Sequence, residues 1–313
     1  MSDWRPSGDF DALRARAGIT RTVRDFFERR GVTEVTTPLL TASGVTDVHI
    51  ESVATESPTG WLRTSPEYAH KRLLAAGFGD LYELGPVFRR GEAGRHHQPE
   101  FTLLEWYRVG WDWRQLAGEV VDLIDACLPP CDGARSVRWI SWSDCFEEGL
   151  GLDALGTDDA TLTQQADDAP AGLDRDALLD WLFATRIQPN FPPSGLTVVH
   201  DYPAAQAALA RLRKDDPRFA ERFEVFAGPL ELANGYHELG DADEQRARFE
   251  RDNQARAARG QPVMPVDEAI LAALHAGLPD CSGVALGLDR LVMAALGRSS
   301  IDEVVSCVHP RSG

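Results

Sequence analysis

Two neighbouring stretches of this chain carry side chains that could bind a nucleotide. The first is Phe88-Arg89-Arg90-Gly91-Glu92, and the second, HQPEFTLLEWY, runs from residue 97 to 107. Their pattern predicts a strand, a polar loop and a second strand. Because alternate side chains of a strand share a face, we expect one face of the second strand to carry the following set: Phe101, Leu103, Glu105 and Tyr107.

The residue types on that face suit a phosphorylated ligand and a cationic group. The Arg89 guanidinium can pair with a phosphate, and the Phe101 ring can stack on a base. Glu105 and Tyr107 offer a carboxylate and a phenol to an ammonium. His97 can reach over the strands from the loop. The alternative is a solvent-facing β-hairpin of mixed charge, which the residue types alone leave open.

A second candidate site lies in the C-terminal third of the chain. Residues 223–238 are typical of two strands joined by a Gly-Pro turn. Glu231 and Glu238 bracket Asn234, and Mg²⁺ prefers carboxylates together with substrate phosphates. We therefore expect Glu231 and Glu238 to hold a metal ion. A polar edge strand without a metal is the alternative.

The stretch SGVALGLDRL, residues 282–291, predicts a glycine-rich strand that enters a helix ending near Gly297. Gly283 and Gly287 would let a ligand approach the backbone closely. Arg290 falls in the first helical turn, where the helix dipole disfavours a cation. We therefore expect an anion or a base to face Arg290.

The N-terminal elements that frame these stretches can also be predicted. Thr20 is a candidate N-cap for a helix that reaches about Arg30, with Gly31 at its exit. A short strand over residues 32–35 and Pro38 follow.

A further helix is predicted from residue 65 to Gly77. Ser65 is the candidate N-cap, Pro66 takes the first helical position, and Glu67 is favourable near the positive end of the dipole. Residues 129–200 are rich in Asp and Pro. They predict a small, mostly helical insertion with a solvated face.

Length and composition narrow the class of protein. The chain has 313 residues, enough for one large domain or two modest ones, and its apolar fraction of 43% is ordinary for a globular protein. No apolar run approaches the roughly 18 residues needed to span a bilayer. The N-terminus lacks the apolar core of a signal peptide. We therefore expect a cytoplasmic protein that has no membrane partner.

Charge and cysteine content indicate which partners and metal ions the protein is expected to bind. The net charge of −17 disfavours broad nucleic-acid binding, which needs a basic surface. Residues 89–97 form a local basic cluster. The five cysteines, an odd number, do not suggest a disulfide framework. Cys127 and Cys131 lack a second ligand pair nearby, so a structural zinc is not expected.

In chain order, these stretches resemble the three signature motifs of class II aminoacyl-tRNA synthetases. The helix, strand and proline of residues 20–38 resemble the first signature, the strand pair of residues 88–107 the second, and residues 283–290 the third. The strings TSPE, PEFTLLEWY and ELANGYHEL are similar to the lysine-specific branch. Within that branch the chain resembles most the elongation factor P lysine ligase family.

Three features point to that family rather than to tRNA-charging enzymes. Only about 20 residues precede the predicted first helix, which leaves no room for an N-terminal OB-fold that reads RNA. The string PEFTLLEWY is followed by Arg108, as in the ligases. Ala285 stands where the tRNA-charging enzymes carry Gly, and an added methyl changes the shape that a substrate pocket accepts.

The resemblance implies a role for each matching residue. Arg89 and Arg290 are the implied catalytic residues. The implied ATP-binding residues are Arg89, Arg90, Gly91, His97, Gln98, Phe101, Glu231, Leu232, Gly287 and Arg290. The implied substrate-binding residues are Ser65, Pro66, Glu67, Glu105, Tyr107, Asn234, Glu238 and Ala285. Glu231 and Glu238 are the implied metal ligands.

Two positions depart from the family pattern. Gly91 occupies the acidic position of the F-R-x-E strand, and Glu92 follows one place later. The family pattern therefore does not settle which residue makes the ATP contact expected from that acid. Gln98 replaces the usual Asn, which keeps the amide.

The resemblance also implies the fold and the reaction. The expected fold is α+β, a six-stranded antiparallel sheet flanked by helices in one catalytic domain over residues 1–313, assembled as a homodimer without an anticodon-binding domain. The expected substrates are ATP with Mg²⁺ and lysine, with (R)-β-lysine as the favoured isomer. The carboxylate of lysine attacks the α-phosphate and displaces pyrophosphate, and a lysine amine on elongation factor P then attacks the resulting adenylate to give an amide and AMP. No tRNA is expected.

Three other functions are weighed against this one. The first is a tRNA-charging lysine enzyme, which the acidic charge opposes. The second is a catalytically silent paralogue that acts as a binding module; Gly91 favours it, and the intact Arg89 and Arg290 oppose it. The third is small-molecule amide formation, such as asparagine synthesis, in which Glu105 would repel an aspartate side chain.

Overall fold

The computed structural model describes residues 4–57, 59–131 and 133–308, so the outermost ends of the predicted domain lie outside the described residues. The strands are β1 (Thr33–Glu34), β2 (Leu40–Thr41), β3 (Val53–Glu56), β4 (Thr59–Leu62), β5 (Leu81–Phe88), β6 (Glu100–Val109), β7 (Val137–Ser141), β8 (Leu196–Pro203), β9 (Phe219–Ala227), β10 (Leu230–His237) and β11 (Cys281–Gly287). The α-helices are α1 (Phe10–Glu28), α2 (Glu67–Ala75), α3 (Trp113–Cys127), α4 (Trp142–Leu150), α5 (Asp159–Gln165), α6 (Arg175–Leu182), α7 (Ala242–Ala258), α8 (Glu268–Gly277) and α9 (Leu288–Leu296).

The main sheet of the described chain has eight strands, in the order β1-β5-β6-β11-β10-β9-β8-β7. The six inner strands are antiparallel throughout, which agrees with the α+β class and with the six-stranded expectation for that part. The expected strand number was too small, because β1 and β7 add to the two edges in parallel. Long connections lead from β1 to β5 and from β7 to β8, and parallel pairing needs such crossovers.

Strand β6 separates the core from an open cleft, as its alternating pattern predicted. Leu104 and Trp106 are fully buried in the core beneath α1, α3 and α9. Leu103, Glu105 and Tyr107 point to the opposite face and line the cleft. The predicted hairpin of β9 and β10 and the predicted passage from β11 into α9 are confirmed.

The first helix begins eleven residues earlier than the sequence predicted. Asp9 caps α1, because its side chain accepts a hydrogen bond from the Ala12 amide. Thr20 lies inside the helix, where its hydroxyl donates to the Arg16 carbonyl. The prediction of Thr20 as N-cap was therefore wrong: a Thr can bond to the preceding turn as well as cap a helix. The exit at Gly31, with φ of +68°, is as predicted.

Helix α2 begins one residue later than predicted. Pro66 occupies the N-cap position itself, and Glu67 is the first helical residue. The Ser65 hydroxyl still accepts a weak hydrogen bond from the Glu67 amide at 3.4 Å. Glu67 therefore lies at the positive end of the helix dipole, where a carboxylate is favourable.

The region predicted as an insertion contributes both helices and sheet. Helices α4, α5 and α6 form a separate apolar cluster that includes Trp142, Phe146 and Leu182. This cluster packs on Val199 of β8 and Phe226 of β9. The flanking strands β7 and β8 belong to the main sheet, so the helical segment is shorter than residues 129–200.

None of the helices in the described ranges is long and apolar enough to cross a membrane.

Candidate active site

A cleft of about 1070 Å³ lies on the open face of the main sheet. Strands β6, β10 and β11 form its floor, and α2 and the loop between β5 and β6 form two of its sides. The lining contains most of the side chains singled out in the sequence: Ser65, Glu67, Arg89, His97, Gln98, Phe101, Glu105, Tyr107, Glu231, Leu232, Asn234, Glu238, Ala285, Gly287 and Arg290. Three predicted residues are not in the lining found for the described chain: Pro66, Arg90 and Gly91.

One end of the cleft is basic and aromatic. The Arg89 guanidinium lies 5.1 Å from the centroid of the Phe101 ring. Its Nε donates to the Thr64 carbonyl at 3.3 Å, and its Nη1 donates to Glu92 at 3.4 Å. These contacts hold the arginine at the end of β5, where it can pair with an anion in the cleft.

The geometry at Gly91 explains the departure from the family pattern. Gly91 has φ of +77°, a conformation that residues with side chains rarely adopt. Glu92, one place later, supplies the carboxylate that pairs with Arg89. Arg90 is exposed and lies 3.6 Å from Glu51. The side chain of Arg90 is thus directed to a different partner from the ATP-binding role that the sequence suggested.

Arg290 meets a histidine and a carboxylate across the cleft. Its Nη1 donates to the Glu231 carbonyl at 3.1 Å and to the Glu231 carboxylate at 3.4 Å. Its Nη2 lies 2.5 Å from Nε2 of His97. Burial and the Arg290 charge lower the pKa of His97, so the neutral ring can accept that bond. Within the protein, the Glu231 carboxylate is an anion that faces Arg290, and the ATP contact implied for Arg290 stays a prediction.

Three predicted ATP-binding residues differ in how they can act. Gln98 is buried and its amide donates to Asp302 at 2.8 Å. The Leu232 side chain packs in the core beneath the sheet, so only its backbone is open to a ligand. Gly287 is the N-cap of α9. A methyl at Gly287 would come no nearer than 3.8 Å to Arg290, so this glycine leaves space over the cleft.

The other end of the cleft can bind a cation. Glu105 is buried, and the Tyr107 hydroxyl donates to its carboxylate at 3.0 Å. Burial raises the pKa of Tyr107 well above its usual range, so the phenol stays protonated. A buried carboxylate with a fixed hydroxyl beside it suits an ammonium. We refer to the space beside Glu105 and Tyr107 as the amine pocket.

A buried lysine joins two of the predicted substrate residues. Lys71 lies 2.7 Å from Glu67 and 2.7 Å from Glu238. Burial opposes the charge of Lys71, but the two carboxylates outweigh it and raise its pKa. For the acid Glu238, burial has the opposite effect and raises the pKa to about 7. Reasoning from the sequence missed Lys71, although its i,i+4 spacing from Glu67 was a readable signal.

Side chains from five strands meet in one row across the floor. The register places Glu83, Glu105, Ala285, Asn234 and Glu224 side by side on neighbouring strands. The Asn234 side-chain oxygen accepts from Arg222 at 3.3 Å. Ala285 therefore lies between the amine pocket and Asn234 on the floor of the cleft.

The structure separates Glu231 from Glu238 and so corrects the expected metal pair. Glu231 is the second residue of β10, and Glu238 directly follows the end of that strand. At about 3.3 Å per residue, their Cα atoms therefore lie roughly 20 Å apart. Glu238 is also engaged by Lys71. Two carboxylates at that separation cannot share one ion. The described residues contain no group of three or more His, Cys, Asp or Glu side chains around a common metal position.

Glu224 is the carboxylate that accompanies Glu231. Burial raises the pKa of Glu224, and the negative charge of Glu231 adds to that effect against the opposing Arg222. A bulge in β10 between Glu231 and Ala233 sets the local direction of Glu231. Two neighbouring carboxylates are a donor set that suits Mg²⁺ when phosphate oxygens and water complete the shell. Sequence reasoning passed over Glu224 because it looked like one residue of an ordinary strand.

Gly283 gives the first testable prediction. A methyl at Gly283 would lie 2.5 Å from the Glu238 carboxylate and would overlap the Tyr107 ring. Gly283→Ala should therefore displace both groups, lower the free energy of unfolding by about 1–3 kcal/mol and weaken lysine binding. Thermal unfolding and calorimetric titration with lysine measure these effects.

A matched control is Gly118→Ala in α3, where the described residues leave room for a methyl. Ala is favoured over Gly in a helix by roughly 1 kcal/mol, so this variant should be at least as stable as the parent. Unchanged lysine affinity in Gly283→Ala would show that the close packing at Gly283 does not shape the amine pocket.

The chain is similar to known proteins over nearly its whole length. A profile of the family described as class II tRNA synthetases (D, K and N) matches residues 2–311. Three relatives carry the name elongation factor P–(R)-β-lysine ligase. The protein from Mannheimia succiniciproducens is 46% identical over 97% of this chain and 96% of its own length. The protein from Klebsiella pneumoniae subsp. pneumoniae is 47% identical over 99% of this chain and 98% of its own length. The protein from Pasteurella multocida is 47% identical over 98% of this chain and 97% of its own length. The chain therefore belongs to the class II tRNA synthetase family of the D, K and N type.

Proposed function

We propose that the protein is an ATP-dependent ligase that activates (R)-β-lysine as an adenylate and transfers it to a lysine ε-amino group of elongation factor P. The observation that carries the proposal is one cleft with an amine pocket, Glu105 and Tyr107, and an arginine–aromatic end, Arg89 and Phe101. The names of relatives that align over nearly the whole chain support the same reaction.

Each residue of the cleft has a separate role in the formation of the lysyl adenylate. Phe101 stacks on the adenine, while Arg89 pairs with the α-phosphate and the carboxylate being activated. Arg290 stabilises negative charge that develops on the phosphates. Glu105 and Tyr107 hold the ammonium at the end of the lysine side chain, and Glu67 and Asn234 hold the amino-acid head. Catalysis then consists of positioning the lysine carboxylate in line with the α-phosphate.

Glu224 and Glu231 would hold Mg²⁺ beside the ATP phosphates. Each oxygen of the Glu224 carboxylate already accepts one hydrogen bond, from Arg222 or Tyr202, and keeps a second lone pair. The ion would supply charge neutralisation to the phosphates. A hard, oxygen-binding cation fits this donor set better than zinc does.

The second half-reaction needs no nucleophile from this chain. The amine of the acceptor lysine attacks the adenylate carbonyl, an amide forms and AMP leaves. A protein acceptor agrees with the net charge of −17, which disfavours a large RNA substrate. Since ATP and a translation factor are the substrates, we place the reaction in the cytoplasm.

A homodimer is part of the proposal. Phe10 at the start of α1, and Leu39 and Leu40 directly after the residues that resemble the first signature, expose apolar side chains. Exposed apolar groups of this kind are typical of an interaction surface. Sedimentation velocity should show twice the mass of the chain, and a monomer at micromolar concentration would contradict the assignment.

Intact mass spectrometry tests the function directly. Elongation factor P incubated with the enzyme, ATP and (R)-β-lysine should gain the mass of one lysyl residue. Omission of ATP, or an acceptor with its target lysine replaced by arginine, is the control. Acylation of tRNA without a change in elongation factor P would favour a tRNA-charging enzyme. Absence of ATP–pyrophosphate exchange would favour a silent binding module.

The isomer preference is tested by Ala285→Gly. Ala285 lies in register with Glu105 and Asn234, so its methyl should crowd an α-amino group and leave room for the shifted amine of β-lysine. The variant should raise kcat/KM for α-lysine and narrow the preference for the β-isomer, within the roughly 10–200-fold range that one methyl can contribute. The ratio of kcat/KM for the two isomers measures this.

The competing explanation is that Ala285 serves only the strand. Ala→Gly inside a strand costs roughly 0.5–1 kcal/mol of stability. A lower melting temperature with an unchanged isomer ratio would assign Ala285 to strand stability alone.

A further inference from the structure

A buried histidine stands directly behind the carboxylate of the amine pocket. His70 lies on α2, and none of its surface is exposed. Its Nε2 lies 3.0 Å from the Glu83 carboxylate, and its Nδ1 lies 3.4 Å from the Glu105 carboxylate. The ring therefore joins two acids from neighbouring strands, β5 and β6. Reasoning from the sequence gave His70 no role.

Glu83 is held as an anion, so it binds the Nε2 proton firmly. Arg63 donates to its carboxylate at 2.6 Å, and the hydroxyl and amide of Thr37 donate at 2.7 and 3.2 Å. Burial opposes the charge, but the hydrogen bonds from His70, Thr37 and Arg63 outweigh it and lower the pKa of Glu83 to about 2. An ionised carboxylate only accepts hydrogen bonds, so Nε2 of His70 carries a proton.

The contact with Glu105 is the looser of the two. A separation of 3.4 Å between Nδ1 and the carboxylate is longer than a formed hydrogen bond. Yet a buried carboxylate that loses a partner is costly, and the Tyr107 hydroxyl supplies only one. Burial alone would lower the pKa of His70, but Glu105 and Glu83 outweigh it and raise the pKa above its usual value. The two carboxylates beside the ring therefore favour its protonated form.

Other charged groups surround this cluster. Helix α2 contributes an acid and a base of its own, the residue after β10 and the residue after β4 contribute one charge each, and β5 and β6 supply the rest. These titratable and charged side chains are Arg63, Glu67, Lys71, Glu83, Glu105, Tyr107 and Glu238. Lys71 is neutralised by Glu67 and Glu238, and Arg63 by Glu83. The cation that faces Glu105 is the His70 ring.

We propose that the protonated His70 ring stands in for the substrate ammonium at Glu105 before lysine binds, and that binding of the ammonium displaces the Nδ1 proton. The proton passes to the Glu105 carboxylate and leaves through the cleft, while the Nε2 proton stays with Glu83. The ammonium then donates to Glu105 in its place. His70 is a positioning residue, since it touches no reacting atom. The proposal rests on the proposed function in one respect, that Glu105 receives the lysine ammonium.

The sign of the pH dependence follows from this exchange. A second cation at Glu105 repels the imidazolium, so the pKa of His70 is lower with lysine bound than without it. Lysine binding therefore releases a proton. Between the two pKa values the affinity for lysine should rise with pH, by up to about tenfold per pH unit. The ammonium of lysine keeps its charge throughout this range because its pKa is about 10.4.

Calorimetry in buffers of different ionisation enthalpy counts the released protons. At pH 7 the parent protein, titrated with the preferred lysine isomer, should release about 0.5–1 proton per ligand. His70→Gln keeps an amide donor but cannot carry the charge, so it should bind lysine with less than about 0.1 proton released. His275→Gln, a change at an exposed histidine of α8, should behave as the parent.

Each contrary outcome has a distinct meaning. Lysine binding without proton release in the parent would overturn the proposal and leave the proposed function standing. Release that persists in His70→Gln would assign the proton to Glu238, whose pKa lies at about 7, and would also overturn it. Failure of the parent to bind either lysine isomer would overturn both this proposal and the proposed function.

Nitrogen-15 NMR of the histidine rings gives a second readout that does not depend on a variant that folds. The chain has eight histidines, and His70 is identified by its contacts with the Tyr107 ring, 5.6 Å away between centroids. Both ring nitrogens of His70 should have imidazolium shifts before lysine is added. Nδ1 alone should move to the unprotonated range when lysine binds. Imidazolium shifts that stay unchanged at saturation would contradict the exchange.

Discussion

Replacement of Arg89 by alanine is expected to lower ATP–pyrophosphate exchange by about 10²–10³-fold, the usual effect of losing one positioned donor to a developing negative charge. Arg89 is half-buried at the end of β5, between the Thr64 carbonyl, Glu92 and the Phe101 ring. These contacts orient the guanidinium before any ligand arrives. Alanine removes both the charge and the orientation, so the loss should be in kcat more than in KM for lysine.

The fold should survive this change, because Arg89 belongs to the cleft and not to the apolar core. Circular dichroism and the melting temperature check this point. Arg114→Ala removes an exposed arginine from α3, outside the cleft lining, and is the charge-matched control. Exchange activity of Arg89→Ala within a few-fold of the parent would remove Arg89 from the catalytic assignment.

Glu105→Gln is expected to weaken lysine binding by at least about 10²-fold while ATP binding changes little. Truncating one partner of a buried charge pair costs about 3–5 kcal/mol, and each 1.4 kcal/mol is tenfold in affinity. The amide of Gln also places a donor where the Tyr107 hydroxyl already donates. The lysine ammonium would therefore lie beside a neutral amide that offers no negative charge, whereas the ATP end of the cleft keeps its contacts.

Separate calorimetric titrations with lysine and with a non-hydrolysable ATP analogue measure the two affinities. Glu100→Gln makes the same chemical change at an exposed position at the start of the same strand, and both affinities should match the parent. Equal losses of both ligands in Glu105→Gln would mean that Glu105 supports the sheet as a whole and not the amine pocket.

The parts of the site that sequence reasoning predicted well are local in the chain. The alternation of β6 placed Phe101, Glu105 and Tyr107 on one face, and the structure confirms that face as the floor of the cleft. A period of two is a property of any extended strand. The glycine-rich turn into α9 likewise placed Arg290 at a helix start, where an acidic or basic partner had to meet it.

The parts that sequence reasoning missed depend on which strands and helices become neighbours. Glu231 and Glu238 looked like a pair because they are seven residues apart, but β10 holds them at opposite ends. Glu224 accompanies Glu231 only because β9 folds back on β10. The start of α1 was misjudged for a different reason, since Asp9 and Thr20 can both cap a helix and packing of the preceding turns decides between them.

By itself, the sequence determined the α+β class, the family and most of the side chains that face the cleft, because strand alternation, turn residues and motif spacing are local properties of the chain. The tertiary structure decided how those side chains pair. It placed His70 between Glu83 and Glu105, and Lys71 between Glu67 and Glu238. The physical reason is that a buried charge must find its partner in space. The register of β5 against β6 and the packing of α2 over them, which no local pattern encodes, determine which partner that is.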